Sequence, residues 1–113
     1  MAKKCFFCKT ELHSEGNNAE PLASAVCCNL CNIRLVIPYR MCLHNGKTPR
    51  VRLSHMYGEP QMEKGLEGNI TGVDDIGQIH VNWEDPYNKN ADGSPKIIST
   101  LALTAEKDIF TIV

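Results

Sequence analysis

Two short cysteine pairs constrain this chain more than anything else in it. Cys5-Phe6-Phe7-Cys8 is answered, after nineteen intervening residues, by Cys28-Asn29-Leu30-Cys31. That separation lies in the range of a four-cysteine zinc site. Two residues between cysteines let both sulfurs of a tight turn point the same way. Two such turns supply four soft thiolates at the corners of a tetrahedron, which suits Zn²⁺ and leaves no open position on the metal. The expected ligands are therefore Cys5, Cys8, Cys28 and Cys31, holding one structural zinc ion. Cys27 stands beside Cys28 as a substitute ligand; the repeated spacing favours Cys28, and Cys27 stays open. His13 and His44 are weaker alternatives, and Cys42 reads as a free thiol behaving as a small hydrophobe.

The chain needs such a staple. Its 113 residues make one domain or two very small ones. A segment of roughly 50 residues buries too little surface to be comfortable alone. Six cysteines could instead pair as disulfides, but that requires an oxidising compartment. The opening Met1-Ala2-Lys3-Lys4-Cys5 has no apolar run of signal-peptide length, and nothing approaches the roughly 20 apolar residues of a membrane span. The expectation is a cytoplasmic protein with reduced cysteines and no membrane contact.

Charge is divided unevenly. Residues 1–52 hold eight Lys and Arg against three Glu, a balance of +5; residues 53–113 hold four Lys against ten acids, a balance of −6. A zinc ion held by four thiolates carries −2 and would lower the first balance to about +3. Any nucleic-acid contact is then local to the first half, and the acidic second half opposes it. The candidate contacts to a partner or to nucleic acid are Lys9, Arg34, Arg40, Lys47, Arg50 and Arg52.

Taken in order, the chain starts with a short strand and the first metal turn, where one of Phe6 and Phe7 packs on the site. Glu11–Ala25 reads as a loop, with Gly16-Asn17-Asn18 as turn residues and Pro21 excluding helix. A short helix is expected from about Asn29 to Val36, ending near Pro38. His44-Asn45-Gly46-Lys47 and Thr48-Pro49 are breakers. From Val51 the texture changes to short alternating strands: Val51–Met56, Asn69–Val73, Gln78–Glu84, Lys96–Thr104 and Ile109–Val113. Asp74-Asp75-Ile76-Gly77 reads as a hairpin turn with Gly77 at positive φ. Asp85–Pro95 reads as a long irregular loop. Five short strands in about 60 residues suggest a small closed or partly open barrel.

Val51–Met56, Gly68–Glu84 and Asp108-Ile109-Phe110 resemble a domain-of-unknown-function family of small SH3-like proteins from phages and mobile elements of Gram-positive bacteria. Cys5–Cys8, Gly16–Leu22 and Cys27–Asn32 resemble a small zinc-ribbon family of similar distribution. The resemblance implies a small, mixed, mostly β fold. A treble- or zinc-ribbon-like module with a four-cysteine zinc site fills residues 1–42, a linker 43–50 and a five-stranded SH3-like β-barrel 51–113. It also implies a bacterial host. The lengthened 84–95 stretch departs from the short turn of those barrel proteins.

No nucleophile–base–orienter set, phosphate loop or serine elbow is present in the sequence. The expectation is a non-enzymatic zinc-binding interaction module without a small-molecule substrate. It would be a phage or mobile-element accessory that binds a host or phage protein, an inhibitor of host defence being one form of that role. The alternative is a nucleic-acid-binding zinc ribbon using the basic segment 34–52.

Overall fold

A computed structural model describes residues 3–113. Met1 and Ala2, counted above in the zinc module, lie outside the described residues. The chain runs through two two-residue strands, β1 (Asn17–Asn18) and β2 (Val26–Cys27), which pair antiparallel. A continuous helical stretch follows, made of α1 (Asn29–Cys31), a π segment (Asn32–Val36) and α2 (Ile37–His44). Five strands complete the chain: β3 (Arg50–His55), β4 (Glu67–Val73), β5 (Ile79–Lys89), β6 (Pro95–Ser99) and β7 (Ile109–Ile112).

The helix passes through Pro38 rather than ending there. A proline inside a helix removes one hydrogen bond and drives its ring into the preceding turn. Here the turn before it is wide: Ile37 N–H donates to Asn32 O, five residues back. That π turn opens the helix where the ring needs room. Burial of Leu35 and Val36 favours continuing, and the helix ends at Asn45-Gly46, with Gly46 at φ 70°.

The five strands form one antiparallel sheet in the order β6-β5-β4-β3-β7. Consecutive strands neighbour each other from β3 to β6, and the last strand returns beside the first. The outer strands β6 and β7 are not hydrogen-bonded to each other, so the sheet is open, and closure into a barrel is not observed. Register shifts between Leu53 and His55 and between Ile70 and Gly72 mark bulges, which bend a sheet around what it covers. The alternation legible in the sequence is the alternation of burial: Val51 and Leu53 on β3, Ile79, Val81 and Trp83 on β5, and Phe110 on β7 all point into the core. Gly68 sits where β4 passes β5; a Cβ there would lie 2.2 Å from Asn82 O, so only glycine fits.

The stretch read as a long loop is mostly strand. β5 continues to Lys89, pairs with β6 at Lys89–Pro95, and turns through Asn90–Ser94, where Asn90 N–H donates to Ser94 O. Bulges on either side of Glu84 separate this arm from the core part of the strand. The arm is exposed on both faces, which is why it shows no hydrophobic alternation to read.

The turn at Asp74-Asp75-Ile76-Gly77 is as expected, with Gly77 at φ 86°. Asp74 Oδ1 accepts from Ile76 N and Gln78 N, and Asp74 Oδ2 lies 2.9 Å from His80 Nε2. Asp108, buried in the core, accepts from Tyr57 N and Thr104 N and so ties the segment after β3 to the turn before β7.

Arg50 on β3 reaches Glu84 on β5 with two parallel hydrogen bonds of 2.9 and 3.0 Å, spanning β4. The Arg50 hydrogen bond holds the Glu84 carboxyl below the usual glutamate range against partial burial. A lowered folded-state pKa means that the unfolded chain takes up the proton more readily. The stability from this pair is therefore fully present above the ordinary glutamate pKa and lost as pH falls through the folded value. Glu84→Gln should melt less steeply with falling pH than the parent between about pH 5 and pH 3. Thermal melts across that interval test this, and parallel curves for the two proteins would assign the pair no role.

Candidate metal centre

The first cysteine pair lies on a turn closed by its own backbone. Lys4 and Glu11 bridge, Cys5 N–H donates to Thr10 O at 2.8 Å, and Lys9 N–H donates to Cys5 O at 3.0 Å. Lys9 stands at φ 66°, an uncommon conformation for a side-chain-bearing residue, and it completes the turn. The second pair straddles the start of the helix: Cys28 precedes its first turn and Cys31 lies within it.

The four sulfurs of Cys5, Cys8, Cys28 and Cys31 lie within 4.8 Å of one another. Cys8 Sγ and Cys28 Sγ are 3.7 Å apart. Bonds of about 2.3 Å from zinc at tetrahedral angles would put sulfurs about 3.8 Å apart, so the cluster has the size of a tetrathiolate zinc cage. Two backbone N–H groups point at sulfur: Cys8 N to Cys5 Sγ at 3.5 Å, and Cys31 N to Cys28 Sγ at 3.4 Å. Such donors offset part of the charge that four thiolates bring to a metal.

The thiols are differently poised. Burial raises Cys5, but backbone donors from Cys8, Cys28 and Phe7 outweigh it and hold this thiol at about 7. Burial pushes the Cys31 and Cys8 thiols up. A metal must displace protons from both, so its affinity falls as pH falls. Cys27, next to the cage, is wholly buried on β2 and outside the cluster; burial first, then Cys5 and Cys28, push its thiol up to about 11. Cys42 has only a long 3.9 Å contact to Val113 O. His13 lines a cleft beside the cage and His44 ends α2; neither belongs to the cluster.

Residues around the cysteines position the centre, among them the two phenylalanines of the first pair. Phe7 is buried and packs edge-on against half-buried Phe6, their ring centres 5.5 Å apart. The Phe6 carbonyl lies against Gly77 of the β4–β5 turn, where a Cβ would stand 2.0 Å from it. Lys9 Nζ donates to Phe6 O at 2.6 Å and also to Ile76 O, so the cysteine turn is clasped to the sheet. Asn17 Nδ2 donates to Asn29 Oδ1 at 2.9 Å and joins β1 to the helix start.

Five of the six cations named as partner contacts are engaged within the chain. Lys9 holds the two carbonyls just named. Arg34 lies 5.4 Å above the Phe110 ring. Arg40 donates to Glu20 O at 2.7 Å and Asn18 O at 2.6 Å, anchoring α2. Arg50 pairs with Glu84, and Arg52 with Glu67 at 3.1 Å. Lys47 is exposed and makes no side-chain hydrogen bond among the described residues.

A family described as a domain of unknown function (DUF4314) matches residues 44–89, from the helix end to the distal part of β5. The chain is similar to that family over this segment, and the cysteine half lies outside the match. No curated protein and no solved structure matches the chain. The resemblance to a zinc-ribbon family accordingly rests on Cys5–Cys8, Gly16–Leu22 and Cys27–Asn32 alone. No helix among the described residues is long and apolar enough to cross a membrane.

Proposed function

We propose that the chain is a non-enzymatic interaction module, held together by one structural zinc ion, that binds another protein. A four-thiolate cage fills every tetrahedral position of zinc and leaves none for activating water, so the metal serves folding rather than chemistry. A cysteine turn facing a helix start supports the treble-like version of the N-terminal module. The four-strand meander with its fifth strand returned beside the first supports the SH3-like reading of the sheet. The family resemblance supports an accessory role in a phage or mobile element, in the cytoplasm of a bacterial host. An accessory of that kind can inhibit a host defence protein.

The observation that favours protein over nucleic acid is the fate of the cations. Five of the six named above are engaged by carbonyls, carboxylates or an aromatic ring of the same chain. A surface that neutralises several phosphates needs cations free to reach them. The natively purified protein is expected to carry one zinc per chain by elemental analysis and no copurifying nucleic acid by absorbance. Any binding to single- or double-stranded probes should be weak at low salt and gone at physiological salt. Tight nucleic-acid binding with a steep salt slope, weakened by Lys47→Ala, would replace this reading with the nucleic-acid alternative. Protein without metal would remove the zinc module itself.

A further inference from the structure

The helical stretch has an unusual outer face. Its inner face is conventional: Cys31, Leu35 and Val36 are buried. Leu30, Ile33, Ile37 and Met41 follow one another at spacings of three, four and four, which places them on a single face. They are 59, 64, 39 and 59% exposed. A surface helix normally turns charged and polar residues outward. A contiguous apolar stripe left in water is a mark of an interaction site.

The stripe has direction. Leu30, at one end, also lines a cleft of about 440 Å³ beside the metal cage, with Cys8, Cys28, Glu11, Leu12 and His13. Along the helix and just past it the charge is positive. From Pro21 to Gly58 the chain contains no acidic residue. Arg50 and Arg52 in that span meet carboxylates of the sheet, but Arg34 and Arg40 meet only a ring and carbonyls, and Lys47 meets water. Their charges stay uncancelled.

We infer that this face docks an amphipathic helix of a partner protein, with an apolar stripe flanked by Asp and Glu and a bulky apolar anchor in the cleft beside Leu30. This inference rests on the protein-binding reading and specifies its surface. Helix-on-groove recognition uses anchors at this same spacing, and opposite charge at the flanks sets orientation and encounter rate. A second copy fits less well. It would oppose cations to cations. A lipid surface is the other occupant that the test below distinguishes.

The test uses the full zinc-loaded chain and a labelled synthetic helix carrying a leucine stripe with glutamate flanks, compared with the same helix carrying lysine flanks. Fluorescence anisotropy should show the glutamate helix binding at least about tenfold more tightly. Ile33→Asp combined with Ile37→Asp should weaken it by a further factor of about ten or more, with zinc content and melting temperature kept. Tyr87→Asp, on the exposed β5–β6 arm, should change nothing. If the double variant loses its zinc, Met41→Asp at the exposed end gives the same reading. Equal binding of both helices, or no binding of either, overturns the proposal. So does a dimer that the double variant dissociates, or stripe-dependent flotation with anionic vesicles. Binding of the glutamate helix that survives the double variant overturns this surface while leaving the protein-binding reading intact. Nucleic-acid binding with a steep salt slope and no helix binding overturns both.

Discussion

Cys31→Ser is expected to cost the protein its metal: zinc should fall from one per chain to nearly none. Four-thiolate sites in small folds draw roughly 10 kcal/mol or more of apparent folding energy from the metal, a loss comparable to the whole stability of a domain, about 5–15 kcal/mol. Elemental analysis and circular dichroism of the purified variant check it. Two companions make the result specific. Cys42→Ser should keep the zinc and the melting temperature, because that thiol makes only a long contact. Cys27→Ser should keep the zinc but melt earlier, because that side chain is wholly buried outside the cage. Zinc kept by Cys31→Ser and lost by Cys27→Ser would hand the fourth position to Cys27.

The same variant reports on coupling between the two halves. Sequence alone divides the chain into a metal module and a barrel. Yet Lys9 and the Phe6 carbonyl clasp the turn at Ile76-Gly77, Arg34 covers Phe110, and one cluster of buried side chains runs from Cys5 to Phe110. Removing the metal is therefore expected to lower the melting temperature of the sheet as well, followed through Trp83 fluorescence. A sheet that melts unchanged in Cys31→Ser would establish two units that fold independently.

Trp83→Ala should be the most damaging single change within the sheet. Trp83 is fully buried at the centre of β5, opposite Gly68, and its Nε1 donates to Leu101 O at 2.8 Å. Truncating a buried tryptophan costs about 3–5 kcal/mol, and the orphaned Leu101 carbonyl adds roughly 1 kcal/mol more. Against the stability of a small domain this leaves little folded protein at 37 °C. Trp83→Phe keeps most of the packing and loses the hydrogen bond, so about 1–3 kcal/mol is expected. Urea titration of the zinc-loaded protein measures both. A loss below about 1 kcal/mol for Trp83→Ala would mean that the ring is not a keystone of this core.

Some of this architecture is local and was legible in the chain. The cysteine pairs are local geometry, since two intervening residues suffice to aim two sulfurs the same way. The Asp74–Gly77 turn is local, because an aspartate that caps its own backbone and a glycine at positive φ need no distant neighbour. The inner part of β5 was legible because one face is buried and the other is not, which writes a period of two into Ile79, Val81 and Trp83.

Other features depend on what the chain meets in three dimensions. Pro38 argues for a helix end, and only the wide turn before it, together with burial of Leu35 and Val36, carries the helix on to His44. The arm at 85–95 has water on both faces, so its pairing leaves no pattern. The basic residues of the 34–52 segment are close in sequence, but their partners are Phe110, Glu20, Asn18, Glu84 and Glu67, all distant in the chain. Charge count cannot foresee that a cation is already engaged by its own protein. The sequence by itself determined the cysteine cluster and the strand texture, because both are set by spacing over a few residues. The tertiary structure alone decided which cations remain free, how the cysteine turn is clasped to the sheet, and which helix face is left in water. Each of those depends on contacts between residues far apart in the chain, which no local pattern encodes.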